Sequence, residues 1–319
     1  MIHAAALLGV LVISFSAVFV RLADVSPTTA AFFRMAYAVP VLFLLWIVRR
    51  QRDTRSRSER LLALAAGLVL SCDLSVWHLS IAWIGAGLST VLANIQVLFV
   101  GGVSWLLFGE KPSRTALAVI PLILAGVALG SGLGRPGAYG LHPVGGALLG
   151  ALTGLLYATF LVLFRTSNRR RVPPEGPLLD ASLGAMLGCL AVGLLDPGFS
   201  FVPSWPAHGW LLALALLPQV LGWLLISIAL PRLPALETSV MLLGQPVLTM
   251  FWGVVIFAEY LSGWQWGGVA AVLGGLAVLL VRGTAVGPEP DPERLREPER
   301  APGLAPDQDP GQEPERNTD

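Results

Sequence analysis

Charge is scarce in this sequence. Only 13% of its 319 residues are Asp, Glu, Lys or Arg, about half of what a soluble domain carries, so a water-soluble fold is excluded. Histidine is nearly absent: His3, His78, His142 and His208 are scattered, and none of their spacings is that of a metal site. The two cysteines, Cys72 and Cys189, both lie in apolar runs, where a thiol behaves as a small hydrophobe. There is no phosphate-binding glycine loop, nucleophile elbow or two-histidine metalloprotease motif. Those absences exclude ATP hydrolysis within the chain and leave no cofactor or catalytic residue to expect.

What is present is apolar, with 55% hydrophobic residues and a mean hydropathy of +0.71. A hydrocarbon core of about 30 Å needs roughly 20 apolar residues per helix. Ten such runs occur, at approximately 3–20, 28–48, 61–83, 85–108, 113–131, 143–164, 178–195, 209–230, 234–257 and 262–281. The expected fold is an all-α integral membrane protein with ten transmembrane helices, and the bilayer is its first partner. The opening "MIHAAALLGVLVISFSAVFVRLA" lacks a basic n-region and a cleavage site and reads as a retained first span.

Loops on the side of the N-terminus hold fourteen basic residues, grouped around Arg49 to Arg60, Lys111, Arg114, Arg165 to Arg171, Arg232 and Arg282. The other side has only Arg21 and Arg135, with Arg34 inside the second span. Basic loops stay in the cytoplasm, which predicts a multi-pass protein of the cell (inner) membrane with both termini cytoplasmic. Residues 283–319 hold ten acidic and four basic side chains among many prolines, the composition of a disordered tail.

The two halves echo each other. An offset of 149 residues places Val91 on Val240, Gln96 on Gln245, Glu110 on Glu259, Ser113 on Ser262 and Gly126 on Gly275. Upstream, an offset of 147 places Ser80-Ile81-Ala82 on Ser227-Ile228-Ala229. Five helices per copy is an odd number, so the second copy enters the membrane from the opposite side. The expected organisation is two inverted five-helix repeats, 1–131 and 132–282, followed by the tail 283–319.

The run "STVLANIQVLFVGGVSWLLFGEKPS", its echo "TSVMLLGQPVLTMFWGVVIFAEYLS" and the early "SPTTAAFFRMAYA" resemble the paired EamA-type repeats of the drug/metabolite transporter superfamily. The resemblance covers residues 1 to about 282. It implies a permease that exports small organic metabolites or drugs, with protons as a candidate coupling ion. It also implies helices 1, 3, 4, 6, 8 and 9 around a cavity and helices 5 and 10 outside. Two departures bear on how the halves bend: Val97 stands opposite Pro246, and Ala258 stands where glycine precedes the second glutamate.

Ionisable groups inside a span are expensive and usually face protein or a water-filled cavity. Asp73, about twelve residues into helix 3, is the deepest carboxylate. Trp77 follows one turn later on the same face, and helix 8 shows a similar pair in Gln219 and Trp223. An indole offers an apolar face, a donor and a surface for cations. Asn94 and Gln245 are neutral polar groups at mid-membrane depth, and Pro246 frees the carbonyl of Leu242 beside Gln245. Arg34 lies seven residues into helix 2, where it can contact a cavity or snorkel to the surface. The substrate-binding expectation is therefore Asp73, Trp77, Asn94, Gln219, Trp223, Gln245 and Arg34. Glu110 and Glu259 read as solvated or capping groups at helix ends, and the Gly-xxx-Gly spacings as packing within a monomer or, less simply, a homodimer.

Two other readings stand beside transport. An intramembrane enzyme would need a second carboxylate at the depth of Asp73, and there is none. A sensory or subunit role would act through the tail, and removing 283–319 separates it from a transporter that keeps its flux. Nothing in the sequence points to nucleic acid.

Overall fold

The computed structural model describes residues 2–131, 142–168 and 172–282. Arg135, Arg169, Arg170, Arg171 and the expected tail 283–319 lie outside the described residues. The described chain forms ten apolar helices, α1 Ile2–Ala23, α2 Pro27–Arg52, α3 Arg57–Gly85, α4 Leu88–Phe108, α5 Arg114–Gly130, α6 Pro143–Ser167, α7 Glu175–Gly193, α8 Trp205–Ala229, α9 Ala235–Phe257 and α10 Gly263–Arg282. Nine are long and apolar enough to cross a membrane, and α5 is a shorter one of 17 residues. The all-α transmembrane class and the ten runs read from the sequence are found, with boundaries moved by a few residues.

The helices start where polar residues supply the orphan backbone donors of a first turn. Ser26 accepts the amide of Thr29 ahead of Pro27, and Ser113 accepts that of Ala116. Ser56 and Glu59 form a reciprocal capping box. Between α3 and α4 the chain bends at Gly85, whose φ of 80° a side chain would strain.

Two apolar cores hold the helices together. One is built around Met35, Leu42, Phe160, Phe164, Trp223 and Ile226, joining α2, α6 and α8 with α1, α3 and α7. The other, around Val97, Ile120, Ile123, Val240 and Val272, joins α4, α5, α9 and α10. Three of the four glycine spacings serve these contacts. Gly126 of α5 sits against the Gly268 carbonyl of α10, Gly150 of α6 against Leu92 of α4, and Gly188 of α7 against Ser71 of α3. The fourth is different, because Gly263 and Gly267 face no neighbouring atoms among the described residues.

Four spans are irregular in the middle, and each irregularity has a cause. In α1 the helix is interrupted at Phe15, where Trp252 donates to the Ser14 hydroxyl at 2.8 Å and Thr249 to the Ser14 carbonyl at 3.1 Å. In α8 a π-helical turn spans Ala215–Gly222 around Pro218, which has no amide to donate. In α9 the helix breaks at Leu243, just before Pro246. In α4 it breaks at Asn94 and Ile95 with no proline nearby. There the Asn94 amide donates to the Thr90 carbonyl at 2.7 Å, a side-chain bond that competes with the helix. Gly154 of α6 lies against the backbone of Ala93 and Gln96 at this break. Helices 4 and 9 therefore bend at corresponding places despite Val97.

Candidate functional site

Arg34, Asp73, Tyr157, Ser182 and Gln219 meet in the middle of the bundle, one from each of α2, α3, α6, α7 and α8. The π-helical turn of α8 presents Gln219, a placement typical of functional sites. Its side-chain oxygen accepts from Arg34 Nε at 2.8 Å, and its amide donates to the Ser182 hydroxyl at 3.2 Å. Gln219 is only 2% exposed, so these bonds fix its orientation. Arg34 thus rests on neutral partners, and no carboxylate lies within 4.0 Å of it among the described residues.

Asp73 is 5% exposed, and its Oδ1 has no hydrogen-bond partner among the described residues. Burying a carboxylate without a partner is costly, so this oxygen calls for a cation or a proton. The phenol of Tyr157 interacts electrostatically with both the Asp73 carboxyl and the Arg34 guanidinium. The arrangement can hold a small solute that brings a cationic group to Asp73 and a polar or anionic one to Arg34.

The other expected residues are spread around this cluster. Trp77 is half-buried one turn beyond Asp73, its ring 5.5 Å from that of His78. Trp223 is 4% exposed and packs edge-on against Phe160 and Phe164 at 5.2 and 6.0 Å, so its indole fills the core. Asn94 spends its amide on its own helix. Gln245 is half-buried just past the break in α9, while its counterpart Gln96 is buried and accepts from the Ser239 hydroxyl at 2.9 Å across the α4–α9 contact. The sequence reading passed over Tyr157 and Ser182. A tyrosine and a serine in apolar helices carry no signal of their own, although α7 aligned on the cavity face would have exposed Ser182. Glu237, buried near the start of α9 with Oε1 unpartnered and His3 at 3.9 Å, was passed over as well. Among the described residues no group of three or more His, Cys, Asp or Glu side chains could hold a metal.

Ion pairs occupy both ends of the bundle. At the end where α1 starts and α10 finishes, the terminal end, Arg165 of α6 contacts Glu110 after α4 at 2.6 Å. It also donates to the carbonyls of Leu230 and Leu233, at 3.1 and 3.0 Å. Glu110 in turn accepts the amide of Ala235 at 3.1 Å. At the other end Arg21 of α1 pairs with Glu259 after α9 and lies 3.9 Å over the ring of Phe257. Glu110 and Glu259, read from the sequence as solvated or capping groups, are each bound to an arginine, and Glu110 also takes the first amide of α9.

Residues 1–132 and 144–281 match the EamA-like transporter family. An uncharacterised protein of Pseudomonas aeruginosa, PA1977, is 32% identical over 200 residues, 61% of this chain and 64% of the relative, so the matched region spans less than two thirds of that relative. An uncharacterised transporter of Bacillus subtilis, YwfM, is 23% identical over 261 residues, 81% of this chain and 86% of the relative. A solved crystal structure superimposes with a TM-score of 0.72 at 22% identity, covering 89% of this chain and 98% of the other, which is a likeness of fold.

Proposed function

This chain belongs to the EamA-like transporter family, and on that premise we propose that it is a secondary active exporter of small organic metabolites or drugs. Two inverted five-helix halves, 1–131 and 132–282, rock about the central cluster and expose it to each side in turn. What carries this reading is the Asp73 carboxyl, buried in mid-helix with one oxygen unpartnered. Tyr157 interacts electrostatically with it and with Arg34, whose hydrogen-bond partner is the neutral Gln219. Such a pair suits a solute with a cationic group for Asp73, with Arg34 and Gln219 receiving its polar end. Trp77 and Gln245 flank the path, while Trp223 and Asn94 support it from the surrounding structure.

The inversion is supported by local features that recur at the sequence offset. The Ser113 and Ser262 hydroxyls cap α5 and α10. The left-handed residues Gly109 and Ala258 end α4 and α9, and each is followed by a glutamate bound to arginine. Opposed ion pairs at the two ends provide the gates that alternating access requires. The basic residues at one end, with Trp205, Tyr260 and Trp264 exposed at the other, favour cytoplasmic termini in the cell membrane. The reading as a transporter also displaces that of an intramembrane enzyme.

Asp73→Asn tests the proposal. In proteoliposomes with a panel of amines and drugs, the variant should lose at least roughly tenfold of the flux while remaining monodisperse with an unchanged melting temperature. Flux equal to that of the unaltered protein would remove Asp73 from the mechanism.

A further inference from the structure

A second site lies away from the central cluster, at the end of the bundle where α2 and α8 finish. Arg49, Arg52, Thr54, Ser227 and Arg232, with apolar residues of the 172–174 segment, line an open pocket of about 530 Å³. That volume is within the range of small-molecule sites. Three arginines, a threonine and a serine are among its lining residues, and among the described residues no Asp or Glu lines it.

The arginines are only partly used. Arg49 spends one nitrogen on Glu175 at 3.1 Å, which anchors it at the start of α7. Arg232, just beyond α8, turns one nitrogen to the Ile228 carbonyl in the last turn of that helix. Arg52 is exposed and has no ion pair among the described residues. The Ser227 hydroxyl is buried and has no partner among the described residues. Three like charges from two segments, the end of α2 and the α8–α9 connection, gather around this pocket, and only Arg49 has a carboxylate partner among the described residues, an arrangement that repels itself until an anion enters. Planar guanidinium groups suit the oxygens of phosphate, which they bind through paired hydrogen bonds. The approach is open to lipid as well as water, because Leu44 and Val48 on the last turns of α2 are strongly exposed on this apolar helix. Basic pockets between helix ends are where acidic phospholipid headgroups bind.

We propose that this cavity binds a phosphate group, carried either by an acidic phospholipid or by a soluble phosphate ester. Bound there, the phosphate joins the ends of α2 and α8 to the 172–174 segment, and these include the helices that present Arg34 and Gln219.

Thermal unfolding of the purified full chain tests the site. The probes are phosphatidylglycerol in mixed micelles, phosphatidylcholine as the zwitterionic control, and glycerol 3-phosphate in solution. The unaltered protein should be stabilised by at least one phosphate probe in a saturable way. An Arg52→Gln/Arg232→Gln double variant should bind it at least roughly tenfold more weakly. Arg57→Gln, which removes an exposed charge outside the cavity, should bind as the unaltered protein does. Stabilisation by phosphatidylglycerol alone identifies a lipid site, and stabilisation by glycerol 3-phosphate a soluble ligand. If no phosphate probe stabilises, if phosphatidylcholine does so equally, or if the double variant and Arg57→Gln behave alike, the proposal is overturned. Should the double variant fail to fold, Arg52→Gln alone, at an exposed position, gives the same readout.

Discussion

The two ends of the bundle are closed by the same chemistry in different settings. Glu110 and Glu259 each follow a residue in the left-handed conformation at the end of a broken helix, and each meets an arginine near the end of α6 or α1. At the terminal end the Arg165 and Glu110 side chains are 10% and 27% exposed, and between them they take two carbonyls and an amide from the α8–α9 connection. At the opposite end Arg21 and Glu259 are 55% and 46% exposed, and the aromatic contact is with Phe257 on the helix that already carries Glu259. One pair locks four helix ends together and the other links two. The lesson is that an ion pair's worth lies in what surrounds it, and that the terminal end is the more firmly shut.

The largest test of that contrast is to break each pair. Arg165→Ala leaves Glu110 and two carbonyls without their donor, and removing one partner of a largely buried pair costs about 3 kcal/mol. Arg21→Ala removes an exposed pair, for which about 1 kcal/mol is the upper end. Thermal unfolding in detergent, completed as a double-mutant cycle with Glu110→Ala and Glu259→Ala, measures both couplings. Couplings of equal size would remove the distinction between a tight and a loose end.

Acid sharpens the comparison with a smaller effect. At the terminal end, burial works to raise the Asp53 carboxyl. Hydrogen bonds from Arg55 and Trp46, with the Arg55 charge, outweigh it and hold Asp53 below its usual value. At the opposite end, the Thr28 hydroxyl at 2.5 Å and the Gly198 amide lower Asp196. A carboxyl lowered by folding contributes stability that is whole above its unfolded pKa and is lost as pH falls through the folded value. Melting temperature should therefore hold down to about pH 4 and fall below it. Asp53→Asn should flatten that fall more than Asp196→Asn, because Asp53 binds Arg55, which is buried and also salt-bridged to Asp180 at 3.0 Å. A greater flattening from Asp196→Asn would reverse the ranking of the ends.

The helices were legible in the sequence because the period of apolar residues and the length of a bilayer act locally. So were Asp73 and Arg34, whose charges stand out against apolar neighbours wherever the helices pack. Their meeting with Tyr157 and Ser182 was not, because it depends on which faces of α6 and α7 turn inward, and every face of those helices is apolar enough to be either. Trp223 shows the reverse: its spacing from Gln219 matches Trp77 and Asp73, but phenylalanines on α6 claim it for the core. The break in α4 was hidden because proline is only one way to interrupt a helix, and Asn94 achieves it through its own side chain.

The smallest test concerns the helix caps beneath the two glutamates. Gly109 has φ 67° and Ala258 φ 53°, the same turn made once with glycine and once with alanine. A Cβ in the left-handed region costs roughly 1 kcal/mol or more, and the greater unfolded freedom of glycine offsets part of that gain. Ala258→Gly should raise the melting temperature by a small amount, while Gly109→Ala should lower it, since each amide following the cap must still reach back to Gly253 or Ser104. The opposed signs matter more than their size. If both substitutions destabilise, the Ala258 methyl contributes contacts that glycine would forfeit, and the loose end owes its hold to more than Arg21.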